Sequence, residues 1–344
     1  MRMTNTMFFP QVKSALAEDY GFPSVNLIVG IDFTKSNQRT GSGSVNGWSL
    51  HDIGDAQNPY EQVISLIGRT LCGAEFPERS LIPCFGFGDA STEDRDIFSF
   101  YPDKRPCRGY MEALKRYREI VPHVQLAGWP RSFAPIIEMA MNIVKESSEY
   151  HVLLIIAEGQ VTRSTYGQLS PQEKATVNAI GKACKYKLSI VVVGVGNGPW
   201  DRMMYFIDNM DCNISCGFPN STFVNFTQIM SQDMPVSKKE AEFSLEAVGG
   251  IPMDYTRTTG NQEWLSYSGT AREMIPPRIP RPPPPLHIQP SAPPVMDPGQ
   301  ICPICMANFK DMAFGCGHQT VFHSKEMLSP VLTVDWARVG LVTG

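Results

Sequence analysis

Along the first 250 residues, nearly unbroken apolar runs alternate with segments of helical spacing. Val25–Phe33, His151–Ala157 and Leu188–Val195 are the apolar runs, and each predicts a strand buried on both faces. Leu81–Phe87 reads as a further strand, with Ile97–Phe100 as its antiparallel partner and Thr222–Phe226 as a last short strand. Between them, Pro59–Leu71, Met111–Ile120, Phe133–Val144, Pro171–Cys184, Trp200–Asn209 and Ser237–Val248 carry helical spacing. Ser170 precedes Pro171 as an N-cap, and Ser237 with Glu240 fits a capping box. Residues 1–24 read as a short helical lead-in. The alternation predicts an α/β fold: a doubly wound, mainly parallel sheet with helices on both faces. In such folds ligands sit at the carboxyl ends of the strands.

After residue 250 the pattern stops. Residues 276–298 hold eleven prolines, including Pro282–Pro285, which neither a helix nor a central strand can carry. The chain therefore divides into a lead-in at 1–24, a large domain at 25–250, and a semi-rigid linker at 251–298. A cysteine-bearing piece at 299–320 and a tail at 321–344 follow. The proline run Arg281–Leu286 could also dock the aromatic-lined groove of an SH3- or WW-type domain.

Charge removes several function classes. The formal net charge is −4, with lysines and arginines scattered, so neither a nucleic-acid footprint nor a polybasic membrane surface is expected. Nine cysteines without a signal peptide fit reduced thiols in the cytoplasm or nucleus. The apolar runs are too short for a membrane span, and position 2 is Arg rather than the Gly that myristoylation needs. No nucleophile elbow, phosphate loop or HExxH motif is present, so no catalytic residue is assigned.

Two segments carry candidate chemistry. The first strand ends in Asp32-Phe33-Thr34-Lys35-Ser36-Asn37, whose alternation sets Asp32, Thr34 and Ser36 on one side of the emerging loop. A carboxylate and two hydroxyls are hard oxygen ligands suited to magnesium or manganese; a loop that merely caps the next turn would look the same. Far downstream, Cys302-Pro303-Ile304-Cys305 is a Cys-x2-Cys knuckle, and Cys316-Gly317-His318 follows after ten intervening residues. Thiolates and imidazole at these spacings are zinc ligands.

Asp-x-Thr-x-Ser at the end of the first strand resembles the metal-ion-dependent adhesion site of von Willebrand factor A domains. Leu27–Asn37 (LIVGIDFTKSN), Cys84–Asp89 (CFGFGD), Ser132–Ile137 (SFAPII), Gly159–Thr162 (GQVT) and Gly194–Trp200 (GVGNGPW) resemble the copine subgroup. With the distal cysteines and Lys310–Gln319 (KDMAFGCGHQ), the chain is similar over about residues 20–320 to the plant RING domain ligases, which join a copine-type A domain to a C-terminal RING.

The resemblance implies two further metal ligands in the A domain, a threonine and an aspartate. This chain has Arg131 and Glu158 at those places. The resulting expectation is that the Arg131 guanidinium takes the metal's place and pairs with Asp32 and Glu158, leaving a degenerate divalent-cation site. Ser132 would still supply a hydroxyl if the loop shifted by one residue. The resemblance also implies an E3 ubiquitin ligase that recruits protein substrates through its A domain and holds a charged E2 on its RING, with Ile304 as the E2-contact residue. A RING needs eight ligands; Cys302/Cys305 and Cys316/His318 supply the first two pairs, and Val321 stands where the next cysteine is expected. Each cross-braced zinc would then keep half its ligands, and ligase activity is expected to be impaired. Convergence of the four on one zinc remains open, as does a copine-like scaffold or decoy without ligase activity.

Overall fold

The computed structural model describes residues 25–38, 49–72, 80–128, 130–164, 168–201, 203, 220–260, 312–314, 319–320 and 341–342. The expected lead-in at 1–24 and most of the Trp200–Asn209 helix lie outside them. The chain forms two compact units, residues 1–284 and 285–344.

The first unit is built on β1 (Asn26–Asp32), β3 (Cys84–Phe87), β4 (Phe98–Ser99), β6 (His151–Ala157), β7 (Leu188–Gly194) and β8 (Ser221–Asn225), in sheet order β4-β3-β1-β6-β7-β8. All neighbours pair in parallel except β3 and β4, which are antiparallel as the sequence predicts. The expected strand Leu81–Phe87 is split. Pro83 has no N–H to give a ladder, so β2 (Leu81–Ile82) leaves the sheet and pairs antiparallel with β5 (Cys107–Arg108), while the Pro83 carbonyl still accepts from Val29 N at 2.9 Å.

Alternation along β1 divides the core. Leu27, Val29 and Ile31 face one apolar cluster with α1 (Pro59–Leu71), α2 (Gly109–Ile120) and α6 (Val236–Val248); Ile28 faces the other, with α3 (Ala134–Ser147) and α4 (Pro171–Ala183). Gly30 lies under α3, where a Cβ would meet Ile136 Cγ1 at 2.7 Å, so the missing side chain lets the helix close on the sheet. Beyond β8 comes the single turn α5 (Phe226–Met230).

Helix starts follow the sequence at α1 and α4. Asn58 with Glu61 and Ser170 with Glu173 form complete capping boxes ahead of Pro59 and Pro171. The capping box expected at Ser237 is absent. Pro235, at φ −55° and ψ 141°, ends the extended chain one residue earlier, so α6 starts at Val236 and Ser237 already lies inside the helix. A further helix, α7 (Ile251–Gly260), continues where the linker was expected to begin. It is fastened to the amino ends of the strands: Ser189 Oγ donates to Asp254 Oδ2 at 2.8 Å, Tyr150 Oη meets Ser189 Oγ at 2.5 Å, and Tyr255 packs edge-on against Tyr150.

Cys72, Cys84 and Cys107 are free thiols. Cys184 departs from the reduced state expected for the cysteines: it is disulfide-bonded. Among the described residues no helix is long and apolar enough to cross a membrane.

In the second unit the described residues are three short antiparallel strands in the order β10-β9-β11, with β9 at Met312–Phe314, β10 at Gln319–Thr320 and β11 at Leu341–Val342. Cys302, Ile304, Cys305, Cys316 and His318 lie outside the described residues.

Candidate functional site

The site stands at the carboxyl ends of β1 and β6. Hydrophobic strand interiors carry the chain to Asp32 and Ala157, and the polar residues that follow turn over the sheet edge. Asp32 is fully buried. Its Oδ1 accepts from Thr34 N at 2.9 Å, and its Oδ2 accepts from Glu158 N at 3.3 Å and is ion-paired with Arg131 Nε at 3.0 Å. Thr34 Oγ1 lies 3.0 Å from Ser36 Oγ.

All of these converge on one guanidinium. Arg131 Nη2 donates to Glu158 Oε2 at 2.6 Å, to Thr34 Oγ1 at 2.7 Å and to Ser36 Oγ, and Nη1 donates to the Gln160 carbonyl at 3.0 Å. Its backbone is clipped to the next loop, with Arg131 N donating to Thr162 Oγ1 at 2.6 Å and Thr162 N donating back to Arg131 O at 3.0 Å. Gly159 makes room for the head group, since a Cβ there would meet Arg131 Nη1 at 2.5 Å. The structure thus brings Asp32, Thr34, Ser36, Arg131 and Glu158 together. It does not bring in Ser132, whose hydroxyl is turned toward Thr176 Oγ1 and Ala134 N.

The electrostatics are those of a buried cation between two buried carboxylates. Burial pushes the Asp32 carboxyl above its ordinary range, and Arg131 opposes that shift. Burial also works against the Arg131 charge, but Asp32 and then Glu158 outweigh it and hold the guanidinium protonated above its usual value. Thr34 N and Glu158 N both donate to the Asp32 carboxylate, the pattern that favours the ionised form. The oxygen donors a divalent cation would need, Asp32, Thr34, Ser36 and Glu158, already serve Arg131. An ever-charged guanidinium and a divalent ion do not fit the same place. Among the described residues no group of three or more His, Cys, Asp or Glu side chains is arranged to hold a metal ion. A cleft of about 350 Å³ opens over the site, bordered by Ser36, Arg131, Glu158, Thr162, Arg163 and Pro199.

Beneath the loop lies a polar layer that the sequence pattern did not reveal. The Asp32 carbonyl oxygen lies 2.9 Å from His51 Nε2 and accepts from Asn37 Nδ2 at 3.1 Å and Tyr60 Oη at 3.2 Å. A carbonyl can only accept, so His51 carries its proton on Nε2, and Nδ1 accepts from Tyr117 Oη at 2.7 Å. The imidazole is stacked between Phe33 and Tyr60 at ring distances of 4.7 and 4.2 Å. No local motif announces His51, which reaches Asp32 and Tyr117 across 19 and 66 residues of sequence.

Burial pushes the His51 pKa down from 6.5 to about 3. The folded imidazole stays neutral while the unfolded one binds a proton below pH 6.5. This contribution to stability is therefore complete above pH 6.5 and is lost as pH falls toward 3, at about 1.4 kcal/mol per pH unit. Between pH 7 and 5, urea unfolding should show wild type losing about 2 kcal/mol more than His51→Gln, whose side chain has no proton to gain. Equal losses in the two proteins would count against a neutral buried His51.

The strand order, the mostly parallel pairing and helices on both faces define a von Willebrand factor A-like α/β domain. The chain belongs to the copine family, which residues 49–265 match. Among curated relatives it is 54% identical to E3 ubiquitin-protein ligase RGLG1 of Arabidopsis thaliana, over 90% of this chain and 66% of that protein. It is 52% identical to E3 ubiquitin-protein ligase RGLG2 of the same plant, over 90% of this chain and 72% of that protein. A more distant relative is Copine family protein 1 of Caenorhabditis elegans, 40% identical over 68% of this chain and 20% of that protein. This chain therefore spans about two thirds of the length of RGLG1 and somewhat more of RGLG2.

Proposed function

We propose that this chain is a RING-type E3 ubiquitin ligase family member that recruits protein partners through its A domain without a divalent metal, and whose own capacity for ubiquitin transfer is impaired. The observation that carries the first half is Arg131, held by Asp32 and Glu158 at 3.0 and 2.6 Å where a metal's oxygen donors converge. The cation is part of the fold, so the cleft above it is ready for a partner without magnesium or manganese. The relatives named as E3 ubiquitin-protein ligases support the ubiquitin assignment. Support for the impairment is Val321, which stands where the resemblance places the next zinc-ligating cysteine after Cys302, Cys305, Cys316 and His318, since structural zinc sites are closed and tetrahedral. Ile304 would face an E2 only on a surface that a full ligand set shapes.

Two measurements test the reading. In calorimetric titration with magnesium or manganese, wild type and Asp32→Ala should both give only the heat of dilution; saturable binding that depends on Asp32 would sink the metal-free site. In an autoubiquitination reaction with E1, E2 and ubiquitin, the chain should yield little product, and Cys302→Ala should change nothing. Robust ubiquitin chains from wild type that vanish in Cys302→Ala would refute the impairment.

A further inference from the structure

A second surface, away from the strand-end site, combines exposed apolar side chains with unneutralised positive charge. Leu81 on β2 and Met111 in the first turn of α2 are each 56% exposed, and both belong to the few large apolar residues left in solvent among those described. They are neighbours in the fold. Leu81 pairs across the ribbon with Arg108, and Arg108 is the residue from which α2 starts, three positions before Met111. Lys115 lies one turn further along the same helix face as Met111.

The charge here runs against the rest of the molecule. The chain carries −4 overall, yet residues 101–119 hold six basic side chains against three acidic ones. Three of the cations are satisfied locally. Arg105 pairs with Glu112 at 3.0 Å, Arg116 with Glu119 at 2.8 Å, and Arg118 with Glu61. Arg105 and Arg116 also cover Tyr101, at 3.5 and 4.8 Å from the ring centre. Glu112, bonded to Arg105, Arg108 N and Tyr101 Oη, is held down at a pKa of about 2 and is fully committed. Lys104, Arg108 and Lys115 are exposed and form no ion pair among the described residues.

We infer that this face of α2 and the β2–β5 ribbon is a docking surface for an acidic segment of a partner protein, one that sets apolar side chains on Leu81 and Met111 and carboxylates on Lys104, Arg108 and Lys115. Two exposed apolar anchors beside three cations that form no ion pair among the described residues are a poor surface for water and a complementary one for an acidic peptide with apolar side chains. The pairing of Arg105, Arg116 and Arg118 fixes the cations that would otherwise compete, leaving a defined set of three to read the partner. The surface uses none of the residues around Arg131, so this docking does not depend on the strand-end cleft.

The test uses the full chain and a fluorescein-labelled twelve-residue peptide of Glu and Asp with two Leu anchors, followed by fluorescence anisotropy. Wild type should bind, with affinity falling steeply between 50 and 300 mM salt. Arg108→Glu with Lys115→Glu should weaken binding at least tenfold, and Leu81→Ser with Met111→Ser about fivefold. Lys174→Glu with Lys182→Glu, on the exposed side of α4, should stay within twofold of wild type; circular dichroism confirms that each variant folds. An equal loss in the α4 variant, or equal binding of a peptide in which Ser replaces both Leu, overturns the proposal. So does a preference for phosphatidylserine vesicles over the peptide that is lost with the same charge reversal, since that would make the surface a lipid contact.

Discussion

Arg131→Ala will lower the free energy of unfolding by about 3–5 kcal/mol, the range for removing one partner of a buried ion pair. The size follows from what stays behind. Asp32 is fully buried and Glu158 nearly so, and both would lose their cation, while Thr34, Ser36 and the Gln160 carbonyl would each lose the hydrogen bond it donates to them. Arg131→Lys should recover only part of the loss, because a single ammonium cannot span Asp32, Glu158, Ser36 and Gln160 as the planar fork does. Urea unfolding measures both variants. A second arm isolates the pair: Arg131→Ala combined with Asp32→Asn should cost less than the sum of the single changes by about 0.5–3 kcal/mol. Strict additivity would show that the ion pair contributes nothing of its own.

Phe33→Ala should cost about 3–5 kcal/mol for a different reason, an unfilled cavity. Phe33 has no exposed surface; it stacks on His51 at 4.7 Å and meets Phe98 and Tyr117 at 5.5 and 6.4 Å. It also separates Asp32 from Thr34, so the wall it builds holds up the loop that presents the site. Phe33→Leu keeps most of the volume and should lose less than about 1.5 kcal/mol. Denaturant midpoints should fall with unchanged m values. A loss in Phe33→Ala below 1.5 kcal/mol, the bound set for Phe33→Leu, would mean that the neighbouring rings collapse into the gap.

Much of this was legible in the chain. The apolar runs mark β1, β6 and β7 because strands buried on both faces need no alternation, and the Ser170 cap is a local signal read within four residues. Asp32 was legible from its place at a strand end, but Arg131 and Glu158 joined it only through the resemblance to von Willebrand factor A domains. His51 was not legible, since its partners are distant in sequence and its burial depends on three rings from three elements. The Ser237 capping box failed because Pro235 fixed the helix start before the side chain could act. The Leu81–Phe87 strand failed at Pro83, where the apolar pattern ran on but the backbone donor did not.

The three-way balance at Arg131 also constrains how this protein can change over generations. Glu158 can be lost first, because Arg131 and Asp32 would remain a matched pair, 3.0 Å apart, with the threonine and serine hydroxyls still engaged. Arg131 cannot be lost first without passing through a chain that buries Asp32 and Glu158 without the cation that pairs with both. A lineage that exchanged Arg131 for a metal would meet that costly intermediate unless Glu158 had already gone, so the geometry constrains the order of substitutions. The arginine acts as a latch: once both acids rely on it, no single substitution releases it without that cost.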